Sequence, residues 1–132
     1  MRPQDWPERL VAFWRARRAI PFGWGSNDCC TLAADWVAEM TGTDPIADIR
    51  GWDDALSAAR TIDELGGMRE AVTARMGESI DWRMAKRGDV VLMVLDGRDT
   101  LAVVMGEYAI APGESGARLV PMGHAVCAWG VA

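Results

Sequence analysis

Apolar positions in the first third of the chain recur at helical spacing. Trp6, Leu10, Phe13 and Trp14, with Arg15, Arg17 and Arg18 opposite them, predict a helix over residues 5–19. Asp5 is its expected N-cap, and Pro7 falls in the first turn, where a missing N–H costs little. Pro21 ends it, and Gly23, Trp24 and Gly25 form a tight turn. A second stripe, Cys29, Leu32, Ala33, Trp36, Val37 and Met40, predicts a helix opened by the capping residues at 26–28 and stopped by Gly42. Residues 43–85 carry weaker signals. Two short helices are expected at about 53–60 and 62–76, interrupted at Gly66-Gly67 and Gly77, with no strand signal, wrapping the helical side of the protein. From Gly88 the pattern becomes a series of short apolar runs at 90–95, 101–105, 108–111, 118–121 and 125–131, with turn signals at Asp96-Gly97, Gly106 and Pro112-Gly113. Helices first and short antiparallel strands afterwards define an α+β layout, not alternating βαβ units.

A chain of 132 residues is expected to form one domain over 1–132, helical to about residue 85 and β-structured beyond it. Its net charge of -5 argues against a nucleic-acid partner. The short arginine run at 15–18 reads as a solvated helix face. The count of 7 tryptophans is unusual: some of the rings must be core, and several are candidates for a partner surface. The first residues lack a secretory-signal pattern, and no apolar run is long enough to span a membrane, so folding in a cytoplasm is expected. Of the 3 cysteines two are adjacent, which does not suit a disulfide framework.

Cys29 is the leading candidate for chemistry. It follows Asp28 on the first turn of a helix, where unpaired N–H groups and the helix dipole favour a thiolate. It is equally the first member of a buried stripe, and a free cysteine packs well in a core. Cys30 lies about 100° further round the helix and reads as a packed thiol. A cysteine nucleophile needs a base, and the chain has a single histidine, His124. His124 and Cys127 do not make a convergent ligand pair if both lie on a strand, so no metal and no cofactor are expected. Asp89, in Arg87-Gly88-Asp89, reads as a turn residue leading into a strand. Asp53, Asp54, Asp63 and Glu64 read as solvated helix ends, the loop at 113–116 resembles a hairpin turn, and no phosphate-binding glycine loop is present.

Trp24-Gly25, Asp28-Cys29-Cys30-Thr31-Leu32 and Arg87-Gly88-Asp89-Val90-Val91 together resemble the NlpC/P60 family, whose nucleophile motif reads roughly WGG…DCSGL and is followed by a PGD-hydrophobic strand. The resemblance covers roughly residues 20–111. The pattern at 21–36 is similar to a small phage and prophage branch encoded among tail genes, with gene-transfer-agent peptidases as more distant relatives. The resemblance implies a papain-like fold, with N-terminal helices packed on an antiparallel meander or partial barrel. It also implies hydrolysis of peptide bonds in bacterial cell-wall peptides. Cys29 takes the place of the nucleophile, with Trp24, Asp28 and Asp89 in supporting positions. The family's histidine position is occupied by Thr100, and its orienting polar residue falls near Ala111; neither side chain can act as a base at neutral pH.

Two functions follow from this resemblance. One is a degraded cysteine peptidase retained as a structural or adaptor component of a phage tail tip or baseplate, partnered by other tail proteins and by bacterial peptidoglycan. It would be assembled in the host cytoplasm and then carried in the virion tail. The other is an active peptidoglycan endopeptidase used in genome delivery, with Cys29 as nucleophile and His124 as a displaced base. A third reading, a metal site built from Cys29, Cys30, Cys127 and His124, has only the residue types in its favour.

Overall fold

The structure, a computed structural model, describes residues 2–132. Helix α1 (Trp6–Arg17) carries Pro7 in its first turn, but Asp5 does not cap it through its side chain. Its carboxylate pairs instead with Arg9 Nε at 2.9 Å, one turn along. Arg17 corrects the expectation of a solvated face. Its guanidinium is largely buried over the Phe13 ring and donates to Asn27 Oδ1 at 2.9 Å and Asp35 Oδ2 at 2.5 Å. Fully buried Asn27 in turn donates to the Ile20 carbonyl, so the end of α1 is riveted to the loop that follows it.

Helix α2 (Cys29–Thr41) is the centre of the helical layer. Asp28 caps it by accepting from Thr31 N, and Gly42 closes it with φ 81°. More of it is buried than one stripe supplies: Leu32, Ala33, Trp36 and Val37 pack on the sheet, while Ala34 faces Ile46 and Trp52 in a separate cluster. Helices α3 (Ala55–Glu64) and α4 (Met68–Met76) follow, separated at Gly66-Gly67 and ended at Gly77, the two breaks expected. The first of these helices runs past its expected end at residue 60 to Glu64, and Thr61 Oγ1 bonds back to the Ser57 carbonyl within it.

Strands β1 (Val90–Leu95), β2 (Arg98–Val104), β3 (Tyr108–Ala111), β4 (Arg118–Pro121) and β5 (Ala125–Trp129) form one antiparallel sheet in the order β4-β3-β2-β1-β5. The first four make the expected meander. The fifth does not extend it but returns to the free edge of β1, pairing Leu92 with Cys127. That edge belongs to a strand buried on both faces and would otherwise leave its backbone unpaired. Ile80, in the segment that carried no strand signal, bridges Ala128 on the outer edge of β5. One face of the sheet (Leu92, Leu101, Val103, Ile110, Trp129) packs on α1 and α2. The other (Val91, Met93, Ala102, Val104, Val120) forms its own cluster with Trp82 against it. Burial on both faces explains why β1 and β2 read as continuous apolar runs rather than alternating ones.

The ends of the chain meet at Asp89. This carboxylate, 1% exposed, accepts from Lys86 N at 2.8 Å, Val131 N at 3.1 Å and Arg2 at 2.7 Å. Arg2 also donates to the Val131 and Arg87 carbonyls and lies over the Trp6 ring. Asp89 is thus the turn residue the sequence suggests, and it fastens both termini to β1.

Candidate functional site

The site is built on the N-terminus of α2, and Asp28 holds it in place. One carboxylate oxygen accepts from Thr31 N at 2.9 Å and Thr31 Oγ1 at 2.7 Å. The other accepts from Gly25 N at 2.7 Å and the indole N–H of Trp52 at 2.7 Å. With both oxygens satisfied and the residue buried, Asp28 is a positioning group with no capacity left for proton transfer. Gly25 must be glycine. Its φ is 79°, and a Cβ there would stand 2.3 Å from the Trp52 carbonyl oxygen. The turn, the cap and the loop through Trp52 therefore lock one another.

Cys29 is half-buried at the floor of a cleft of about 480 Å³. Trp24, Trp52 and Met68 line its apolar walls; Arg98, Asp99 and Asp63 stand at its exposed rim. Among the described residues none of these three charges is ion-paired. A hydrogen bond from the Cys30 thiol holds the Cys29 thiol below its ordinary value, against burial, with the backbone N–H of Leu101 acting in the same direction. Cys30 is pushed well up as the donor in that bond and by burial. Met68 Sδ, 3.7 Å from the Cys30 sulfur, is the alternative acceptor for the same thiol proton. The first helical turn thus holds an activated thiol in an open cleft, the condition for nucleophilic reactivity.

The other residues singled out in the sequence separate from Cys29. Thr100 pairs with Met93 and shares the sheet face turned away from α2; it does not line the cleft, although Arg98 and Asp99 do. Ala111 is fully buried. His124 is exposed on a short 3-10 turn (Met122–His124) and borders a different groove with Asp96, Arg118 and Leu119. Cys127 is buried in β5 on the helix-facing side of the sheet. Cys29 and Cys30 therefore share the cleft with Trp24 and Asp28, while His124, Cys127 and Asp89 lie outside it. No three His, Cys, Asp or Glu side chains among the described residues converge on a metal position, and no helix among them is long and apolar enough to cross a membrane.

Four contributors carry no sequence signal that marks them as part of the site: Trp52, Met68, Arg98 and Asp99. Trp52 sits in the weak middle segment with no periodicity to mark it. Met68 reads only as part of a helix. Arg98 and Asp99 sat beside a turn, and their position over α2 depends on the register of β1 and β2.

Helices packed on an antiparallel sheet, with a cysteine opening the central helix, make this an NlpC/P60-like α+β fold. The structure is similar to RipD of Mycobacterium tuberculosis, described as a non-catalytic NlpC/p60 domain protein adapted to a peptidoglycan-binding function. The two share 17% identity at a TM-score of 0.50, covering 98% of this chain and 100% of that one. No curated protein matches the sequence. Over residues 1–131 the chain belongs to the DUF6950 family, a domain of unknown function.

Proposed function

We propose that this protein is a non-catalytic NlpC/P60-like component of a phage tail tip, whose cleft at Cys29 holds a peptide without cutting it. The observation that carries the reading is the absence of an imidazole from that cleft. The chain has one histidine, and it borders another groove. General acid–base catalysis is worth about 10²–10⁴-fold, and amide cleavage also needs a proton for the leaving amine. The description of RipD as non-catalytic and peptidoglycan-binding supports the same reading. The tail association rests on the resemblance of residues 21–36 to tail-encoded relatives. It is supported by the exposed apolar side chains of Ile20, Phe22 and Trp24, of which Trp24 lines the cleft and Phe22 packs edge-on against it, a surface suited to a protein neighbour. On this reading the protein is made in the host cytoplasm and carried in the virion tail.

Co-sedimentation with purified peptidoglycan, run beside capture by recombinant tail-tip proteins, tests the proposal. Retention by either ligand, weakened in Trp24→Ala, is the expected result and tells which peptide the cleft holds. Retention by neither, with the protein folded, overturns it.

A second reading has one observation in its favour: the lowered Cys29 thiol at a helix N-terminus in an open cleft. An active peptidase would use Cys29 as nucleophile, with its base supplied by rearrangement or by a partner.

A further inference from the structure

We propose that the free edge of β2 at Asp99 and Leu101 takes up an extended protein segment as an added antiparallel strand beside the Cys29 cleft. The inference rests on the reading that the cleft holds a peptide, and it names that peptide as an all-L stretch of a protein neighbour. β1 pairs with β2 from Arg98 to Val103, but β3 pairs only with Val103 and Val104. Val104 N donates to the Asp89 carbonyl, on the β1 side, so even-numbered residues of β2 turn their backbone groups to β1 and odd-numbered ones to the β3 side. The N–H and carbonyl of Asp99 and the carbonyl of Leu101 therefore face an edge that β3 does not reach. The sequence leaves that edge bare. In the register of Val103 with Ile110, Pro112 would stand opposite Leu101, and it has no N–H to give. The chain turns away there, and the Gly113 carbonyl accepts from Phe22 N instead. Arg98 and Asp99 are exposed and line the cleft with Cys29 and Trp24. Bare edge groups of this kind are the template for strand addition.

The edge also selects the segment. A residue opposite Asp99 would exchange both backbone bonds with it, and the residue two before would give its N–H to the Leu101 carbonyl. Asp99 follows Leu101 and Val103 onto the helix-facing side of the sheet, and Asp63 stands at the same cleft. Two carboxylates without an ion pair, in a chain of net charge -5, favour a basic side chain opposite Asp99. The residue two before it would share the side of Leu101 and meet the apolar walls of Trp24, Trp52 and Met68. The residue after it would stand opposite Arg98, which favours an acid. The segment thus reads apolar, any residue, basic, acidic. Strand pairing needs side chains that alternate every second residue of one hand. Peptidoglycan stem peptides mix L and D residues and include a γ-linkage, so they do not fit this edge as a protein segment does.

The probe fluorescein-Thr-Val-Thr-Lys-Glu-Thr-amide, titrated by fluorescence anisotropy with hydrogen exchange at the Asp99 amide followed by NMR, tests the proposal. Binding that slows exchange at Asp99 is expected. Asp99→Pro removes the edge N–H at a position where strands tolerate proline, and should weaken binding by about tenfold, the order of a lost backbone bond. Asp99→Asn keeps that N–H and should cost about twofold to fivefold, the scale of a cross-strand charge pair. A probe N-methylated at its Lys, which blocks the bond to the Asp99 carbonyl, should lose binding to the unchanged protein. The all-D probe and a peptidoglycan stem peptide should leave Asp99 exchange unaltered. No binding of the L probe, binding without protection at Asp99, or equal binding of the N-methylated or all-D probe overturns strand addition. Retention of peptidoglycan or of a tail-tip protein in the co-sedimentation and capture assays, with Asp99 exchange unchanged, overturns this inference alone and leaves the peptide-holding reading standing.

Discussion

Trp52 donates its indole N–H to Asp28 across 2.7 Å, joining the loop before α3 to the cap of the helix that carries Cys29. The same carboxylate holds Thr31 and Gly25, so the cleft floor has one centre. Asp28→Ala removes the acceptor for all of these donors while leaving those of Thr31 and Trp52 buried. Each stranded donor costs about 1–3 kcal/mol, and a total loss of about 3–5 kcal/mol is expected in urea unfolding. Trp52→Phe, which loses one bond and keeps most of the packing, should cost about 1–3 kcal/mol.

Gly25 and Gly42 separate two effects of glycine. Both have positive φ, but a Cβ at Gly25 would meet the Trp52 carbonyl oxygen at 2.3 Å, whereas nothing lies within 4 Å at Gly42. Gly42→Ala should cost about 1 kcal/mol for backbone strain alone. Gly25→Ala adds a backbone collision and should cost more than about 3 kcal/mol or displace Trp52. Paired unfolding curves, with indole fluorescence as the probe, check the difference.

Arg2 and Asp89 form a buried pair at 2.7 Å, with side chains 10% and 2% exposed. Removing either partner leaves the other's buried groups without a counterpart, so Arg2→Ala and Asp89→Ala should each cost about 3–5 kcal/mol. Because the loss is shared, the double variant should be much less destabilised than the sum of the two. A double-mutant cycle in urea reads this directly.

The helices and strands were largely legible because they depend on local pattern. The α2 cap at Asp28, the stop at Gly42 and the Asp96-Gly97 turn all lie within a few residues of the segments they define. What the sequence hid depends on long-range placement. Nothing local tells β5 to return to β1, or Trp52 to reach Asp28 from 24 residues away. Arg17 misled for the same reason: its side of α1 is solvated only until the loop carrying Asn27 folds over it. At the site, Cys29 and its cap could be read from sequence, but the surrounding wall of Trp52, Met68, Arg98 and Asp99 came from three different elements.

Thiol reactivity should follow the order of the two cysteines. The folded Cys29 thiol lies below its ordinary value, so its thiolate is present at lower pH than that of a free cysteine and is lost as pH falls through the lowered value. Cys30 is raised and stays protonated longer. The rate of iodoacetamide labelling at Cys29, followed by peptide mass spectrometry, should reach half its maximum at lower pH than glutathione. Cys30→Ser, with a different donor against the thiolate, should move that midpoint. His124→Ala should not, because His124 borders a separate groove.

The central claim is that the cleft holds peptide but does not hydrolyse it. Release of soluble muropeptides from purified peptidoglycan, measured for wild type and Cys29→Ala side by side, tests it most directly. No release above background from either folded protein is the predicted result. Release by the wild type that disappears in Cys29→Ala would contradict the account and establish a cysteine peptidase.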